Sequence, residues 1–260
     1  MQNEEQKVKT IQSVHRALDI LEFLIDSGNG FSLSTIAEHC KLNKTTAFHL
    51  LKTLENRGYV AQSFDTQFYK VGWKCYDLTA SLYDNQNVVQ AGRPYMEQLL
   101  KEFNETVLLC HCTSMGHQTM GFCLCQLEST IPLHTSHPIG SRLPLYCTAQ
   151  GKAYMTGLSE ENLDRTLDEL EFTPYTENTI TDKDILKEQI AQIRRQGYCI
   201  EREEFQTGVC TLAVPVTKYT GRIIFSLVIS MPTQRATDER LENMIRIMLP
   251  MAKELSRFPF

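Results

Sequence analysis

Residues 33–60 read LSTIAEHCKLNKTTAFHLLKTLENRGYV, and this stretch decides the fold of the N-terminal part of the chain. Leu33, Ile36 and Ala37 recur at helical spacing and predict a helix from Ser32 or Leu33 to His39. Cys40-Lys41-Leu42 breaks it. Asn43 is a favourable N-cap for a next helix, whose buried stripe is Ala47, Leu50, Leu51 and Leu54. That helix ends near Arg57, with Gly58 placed to take the left-handed position after it. Two short helices joined by a tight turn, the second polar in its first turn and apolar later, form the helix-turn-helix pattern. Lys41 occupies the turn where glycine would cost least. A left-handed lysine costs about 1–2 kcal/mol, which a longer or different turn would remove.

Working outward, Val14, Ala17, Leu18, Ile20, Leu21, Phe23, Leu24 and Ile25 predict a preceding helix with Ser13 as its N-cap, stopped by Asp26-Ser27-Gly28-Asn29-Gly30. Downstream, Tyr59-Val60-Ala61 and Phe68-Tyr69-Lys70-Val71 read as two strands turning at Asp65-Thr66-Gln67. A hairpin directly after the second helix of the motif is the wing of a winged helix. Lys41, Lys44, Lys52 and Arg57 against Glu55 make the helix locally basic, as phosphate contacts require. Ser32, Thr35, Lys44, Thr45, Thr46, His49, Lys52 and Lys70 are the candidate contacts to a double-stranded DNA operator. The alternative reading of these elements is a small three-helix domain that binds protein, because a fold alone does not fix function.

The whole chain has 260 residues, 42% of them hydrophobic and 22% charged, the composition of a globular protein with room for two domains. No apolar run approaches the roughly 18 residues of a membrane span, and the polar N-terminus lacks a secretory h-region. These features predict a cytoplasmic protein that does not associate with membranes. The net charge of −5 excludes a generally basic coat for nucleic acid. Residues 1–72 balance eight Lys/Arg against eight Asp/Glu, so DNA contact must come from a local cluster.

SVHRALDILEFL (residues 13–24), the helix-turn-helix quoted above and FYKVG (68–72) resemble the IclR family of bacterial regulators. So do PIGSRLPLYCTAQGKAYMTGL (138–158), IRRQGYCIEREEFQTGVCTLAVPV (193–216) and IIFSLVISMPTQR (223–235), in the same order as in the family. Lys41 departs from the family's usual glycine. The resemblance implies a GAF-like sensor domain, homo-oligomers that are dimers or dimers of dimers, and an operator with two-fold character. It also implies an effector pocket formed by Leu143, Ala149 and Gln150, by Glu201, Val209 and Thr211, and by Val228 and Ser230. Apolar walls with a few hydrogen-bonding groups suit a small organic ligand. Val228 stands where the family often has a polar residue, which points to an aromatic or longer organic acid.

Read on its own, the C-terminal part predicts an α+β domain built around an antiparallel sheet. The expected divisions are 1–72 for the winged helix-turn-helix, 73–87 for a linker helix contributing to a dimer contact, and 88–260 for the effector domain. Helices are predicted over 88–103, interrupted near the start by Pro94, and over 149–155, 160–170, 182–196 and 238–257. Strands are predicted at 106–109, 120–124, 209–215 and 223–230, with residues 143–145 extended. Lys218-Tyr219-Thr220-Gly221 supplies a turn.

The nine cysteines are expected to be reduced thiols. Cys110 and Cys112 share one strand face, as do Cys123 and Cys125. If those faces coincide, four thiolates could surround zinc or act as a redox sensor, with His117, His134 and His137 nearby. This metal or thiol sensor is the alternative function; otherwise these are buried inert thiols, and no cofactor is expected. A cysteine hydrolase using Cys110 or Cys147 lacks any located base, and no nucleophile elbow or phosphate loop is present.

Overall fold

The computed structural model describes residues 10–25, 30–75, 77–78, 87–115, 118–217 and 223–258. The chain divides into two compact units, Met1–Asn85 and Gln86–Phe260.

In the first unit, helices α1 (Gln12–Ile25), α2 (Leu33–His39) and α3 (Lys44–Asn56) precede the hairpin β1 (Val60–Gln62) and β2 (Tyr69–Val71). Ile20, Leu24, Ile36, Leu51, Leu54, Val60 and Tyr69 form its core. Helix α1 begins upstream of its expected cap: Ser13 lies within the first turn, and the backbone NH of Val14 already bonds to the carbonyl of Ile11. Ser32 and Asn43 cap α2 and α3, accepting from the NH groups of Thr35 at 3.2 Å and Thr46 at 2.7 Å. The turn between these helices does not avoid the left-handed region. Lys41 has φ +52°, and the NH groups of Leu42 and Lys41 bond to the carbonyls of Ala37 and Glu38. This pair of bonds is the Schellman closure, which places its C′ residue left-handed whatever the side chain.

The predicted stop at Asp26–Asn29 and the turn at Lys218–Gly221 fall outside the described residues. Of the predicted linker, residues 73–75 and 77–78 are helical, and most of the rest lies outside the described set.

The second unit is built on one six-stranded antiparallel sheet. Its strands are β3 (Thr106–Met115), β4 (Gln118–Leu127), β5 (Arg142–Leu143), β6 (Cys199–Arg202), β7 (Val209–Thr217) and β8 (Ile223–Pro232), in the order β5-β4-β3-β8-β7-β6. One face packs on α4 (Asn87–Phe103) and α8 (Asp238–Leu255), through Met96, Leu99, Leu109, Leu227, Met244 and Met248. The other face packs on α5 (Ala149–Met155) and α7 (Lys183–Gln196), through Leu108, Cys110, Ala149, Ala153, Ile193 and Val228. Helix α6 (Glu160–Glu169) adds Leu163 and Leu167 to a third cluster. Both faces are covered, so β7 and β8 read as nearly continuous apolar runs rather than alternating ones.

Three expectations are corrected. Helix α4 runs through Pro94 without interruption, because its apolar face against the sheet outweighs one missing backbone bond. Cys199–Arg202 is an edge strand that the sequence reading did not identify. The four cysteines do not share a face. A bulge between Leu109 and Cys110 shifts the β3–β4 register, so Cys110 lies opposite Cys123 while Cys125 lies opposite Leu109. Cys125 thus joins the core on the helix α4 side, and a site using all four thiolates is excluded. Among the described residues, no His/Cys/Asp/Glu group is arranged to hold a metal ion.

Replacing Lys41 with glycine is expected to raise the stability of the first unit by roughly 0.5–1 kcal/mol, since glycine adopts positive φ freely but loses more entropy on folding. Chemical denaturation reads this directly. An unchanged or lower midpoint would show that Lys41 is not held left-handed in solution.

Candidate functional site

Each unit holds one candidate surface. In the first, the Asn43 cap frees the opening turn of α3 from neighbouring structure. Lys44, Thr45 and His49 are exposed and Thr46 is half-buried beside its capped NH. Ser32 and Thr35 stand at the start of α2 with their hydroxyls 2.9 Å apart. Lys70 is exposed on β2. Lys52 is placed differently from a free phosphate donor: its ammonium bonds to Glu55 at 2.6 Å and to Gln62 of the hairpin at 3.3 Å. Two aromatic residues were missed by the sequence reading. Phe48 is partly exposed on α3 with the Lys52 ammonium 5.9 Å above its ring, and Phe64 in the hairpin turn is 93% exposed. The only sequence signal was an aromatic residue inside a polar turn.

The second surface is a small cavity against the α5 side of the sheet. It is lined by Leu143, Gln150, Glu201, Val209 and Thr211, all predicted, and also by Leu108, Cys110, His137, Thr148, Phe205 and Gln206. Ala149, Val228 and Ser230 do not line it. Ala149 and Val228 are fully buried in the apolar layer beneath α5. Ser230 is covered by His137, whose Nε2 lies 3.2 Å from the Ser230 hydroxyl. His137 came from a loop with no periodic signal. Its backbone NH is fixed by Gln126 Oε1 at 2.6 Å, and burial holds its imidazole below the usual histidine pKa.

Register explains the polar character of one end. Thr106, Ser230, Thr211 and Glu201 are successive cross-strand partners on β3, β8, β7 and β6, so four polar residues form one row across the sheet. The next row, Leu108, Val228, Ala213 and Cys199, is apolar. Glu201 is buried and accepts from the NH groups of Glu204 at 2.5 Å and Phe205 at 3.4 Å. Those bonds favour its charged form, but burial prevails and pushes its pKa up to about 7.

Helix α5 provides the opposite wall. Thr148 caps it, accepting from the Gly151 NH at 3.3 Å and donating to the Pro144 carbonyl. A Cβ on Gly151 would lie 2.3 Å from the Leu145 carbonyl oxygen, so only glycine permits this approach. Lys152 is completely buried and paired with Glu204, while the second Glu204 oxygen has no hydrogen-bond partner among the described residues. Gln150 Oε1 is likewise buried without a described partner. A buried acceptor in a cavity is a place where a ligand donor is worth most.

The chain was compared with known proteins. Residues 13–63 match the family model "IclR helix-turn-helix domain", and residues 80–257 match "Bacterial transcriptional regulator IclR C-terminal". The chain is 30% identical over 233 residues to the HTH-type transcriptional regulator XynR of Escherichia coli, covering 90% of this chain and 91% of that protein. It is 28% identical to the transcriptional repressor IclR of E. coli, covering 95% and 89%. Its fold is similar to an IclR homologue from Microbacterium hydrocarbonoxydans solved with 4-hydroxybenzoate, at a TM-score of 0.80 and 19% identity, covering 94% and 97%.

Breaking the Lys152–Glu204 pair from one side is expected to destabilise the second unit by about 3–5 kcal/mol, because the remaining charge stays buried and uncompensated. The double variant Lys152→Met, Glu204→Leu should recover much of that loss. Denaturation of Lys152→Met, Glu204→Leu and the double variant tests this; additive losses would contradict it.

Proposed function

The chain belongs to the IclR family of DNA-binding transcriptional regulators with a C-terminal effector domain, and from that premise we propose that it represses its target operator under control of an organic acid, aromatic or of similar length, bound in the cavity. The observation that carries this reading is the exposed first turn of α3, which presents Lys44, Thr45 and His49 at a capped helix start. Such a turn reaches base edges in the major groove, with Ser32, Thr35 and Lys70 available to the backbone. Repression follows the character of relatives such as the E. coli repressor IclR.

Two features support a homo-oligomer. Ile11, Val14, Leu18 and Ile25 form an exposed apolar stripe on and before α1 with steps of three, four and seven residues, the seam spacing of paired helices. Trp73 is 80% exposed, far more than is usual for tryptophan. A dimer formed there would present two recognition helices to an operator with two-fold character. Among the described residues, no helix is long and apolar enough to cross a membrane.

The cavity chemistry narrows the effector. Among the described residues no Lys or Arg lines it and Gln150 Oε1 has no donor, while Leu108, Leu143, Val209 and Phe205 give apolar walls. A hydroxylated aromatic acid satisfies these demands if Glu201 holds its proton and donates to the ligand carboxylate. An ionised Glu201 would repel the same group.

Purified protein is expected to bind duplex DNA from its own upstream region with an affinity that falls steeply as salt rises. The variant Lys44→Ala, Thr45→Ala, Thr46→Ala should lose that binding and keep its thermal transition. Retained operator binding would remove the assignment of α3.

For the effector, 4-hydroxybenzoate is the first probe, followed by calorimetry across pH. Affinity should be highest below about pH 7 and decline as pH rises through that value, because the raised Glu201 pKa keeps it protonated on the acid side. Glu201→Gln should flatten this dependence. The same shift makes the unliganded domain lose up to roughly 3 kcal/mol between the unfolded glutamate pKa and the folded one, because over that range the unfolded chain releases the Glu201 proton and the folded chain retains it. A pH-independent affinity for every acid that binds would refute the role of Glu201.

A further inference from the structure

The bulge that removes Cys125 from the cavity side brings two other thiols together. Cys110 and Cys123 are direct cross-strand partners on β3 and β4, and both side chains belong to the apolar layer beneath α5. Directly opposed residues on antiparallel strands have Cα atoms roughly 4.5–5.5 Å apart, within the span a disulfide bridges. The Cys110 thiol is hydrogen-bonded to Cys123, and Cys123 Sγ lies 3.6 Å from the Cys125 carbonyl oxygen. Cys110 also lines the cavity, so a small solute that enters it meets one member of the pair, whose thiol is bonded to the other.

We propose that Cys110, at the cavity wall, and its cross-strand partner Cys123 form an oxidation site that closes to a disulfide when a hydroperoxide enters. The other thiols nearby are excluded by position. Cys112, the next residue on the same face of β3, lies opposite Gly121, and its thiol is directed at the Gln150 carbonyl at 3.9 Å. Cys125 is on the far side of the sheet. The electrostatics agree with the geometry: the bond from Cys110 holds Cys123 below the ordinary thiol pKa, whereas burial pushes Cys112 up to about 12. Cys123 is therefore the attacking group and Cys110 the resolving one.

The chemistry balances with hydrogen peroxide as the oxidant. The Cys123 thiolate attacks one peroxide oxygen, forming an S–O bond and breaking the O–O bond. The other oxygen leaves as water after taking a proton, and Cys123 becomes a sulfenic acid. Cys110 then attacks the Cys123 sulfur as its own proton departs. The S–S bond forms, the S–O bond breaks, and the hydroxide leaves with that proton as a second water. Two thiols lose two electrons in total and the peroxide gains them. The bond would draw Cys110 toward Cys123 and pin the hairpin just beyond its bulge, altering the wall that a ligand meets. Unlike the effector reading, this inference needs no ligand.

The test uses the full chain, reduced, exposed to hydrogen peroxide and quenched with N-ethylmaleimide. Residues 102–141 contain no Lys or Arg, so trypsin leaves all four cysteines of the hairpin on one peptide. Cleavage at Met115 and Met120 separates Cys110 and Cys112 from Cys123 and Cys125, and mass spectrometry then assigns the link. The expected product joins Cys110 to Cys123, is reversed by dithiothreitol, and persists in Cys112→Ser and Cys125→Ser. Cys110→Ala should stop at a sulfenic acid on Cys123 that dimedone traps. A link through Cys112 or Cys125, or free Cys110 and Cys123 after the half-buried Cys40 and Cys75 have been consumed, would overturn the proposal. The wild-type map decides the matter even if a variant fails to fold.

Discussion

The buried pair of Lys152 and Glu204 is the contact on which the cavity depends. It joins α5, which carries Gln150, to the loop after β6, which carries Phe205 and Gln206. Neither charge has access to water, so the two segments are held together by the cost of separating the charges rather than by the energy gained on meeting. Around this pair the loop is fastened again: the Thr176 hydroxyl donates to the Glu203 carbonyl at 2.5 Å and the Thr179 hydroxyl to that of Glu204 at 2.6 Å. Glu203 itself is left-handed, with φ +60°, a conformation that persists only when its surroundings fix it.

A comparable constraint secures the other face of the sheet. Glu105 is fully buried between α4 and β3 and receives Arg235 through two bonds at 2.7 and 2.6 Å, and Arg240 through a third at 2.6 Å. Arg240 also donates to the Phe103 carbonyl at 2.7 Å, tying the end of α4 to the start of α8. Charged groups thus anchor the two helical layers at opposite surfaces of an otherwise apolar sheet. Shape comes from the apolar layers, whereas the paired charges determine which segment lies beside which.

The winged helix was legible because each of its signals is local. Ser32 and Asn43 cap within three residues, Gly58 turns within one, and the stripe Ala47, Leu51, Leu54 repeats within a helix. The cavity was legible only in part because register is not local. The family resemblance named Gln150, Glu201 and Thr211, and these three line the cavity. It also named Val228 and Ser230, but a resemblance carries no packing, and here α5 covers the first and His137 the second. The alignment of Cys123 with Cys125 assumed a regular strand. One extra residue at the bulge moved Cys125 to the opposite face, the effect any one-residue slip has on a strand with period two.

These constraints limit how an effector can act within the second unit. A ligand shifts an equilibrium only through contacts that differ between states. The β3, β7 and β8 walls are buried on both faces, so they offer little difference. The loop from Glu203 to Gln206 is the wall held by discrete bonds, and Phe205 reaches from the cavity to Tyr175, with ring centroids 5.0 Å apart. Tyr175 in turn lies beside Tyr146, whose hydroxyl bonds to the Thr173 carbonyl at 2.7 Å. A ligand that filled the cavity and supplied Gln150 Oε1 with a donor would therefore meet, in Phe205, the wall whose displacement breaks the fewest apolar contacts with the sheet.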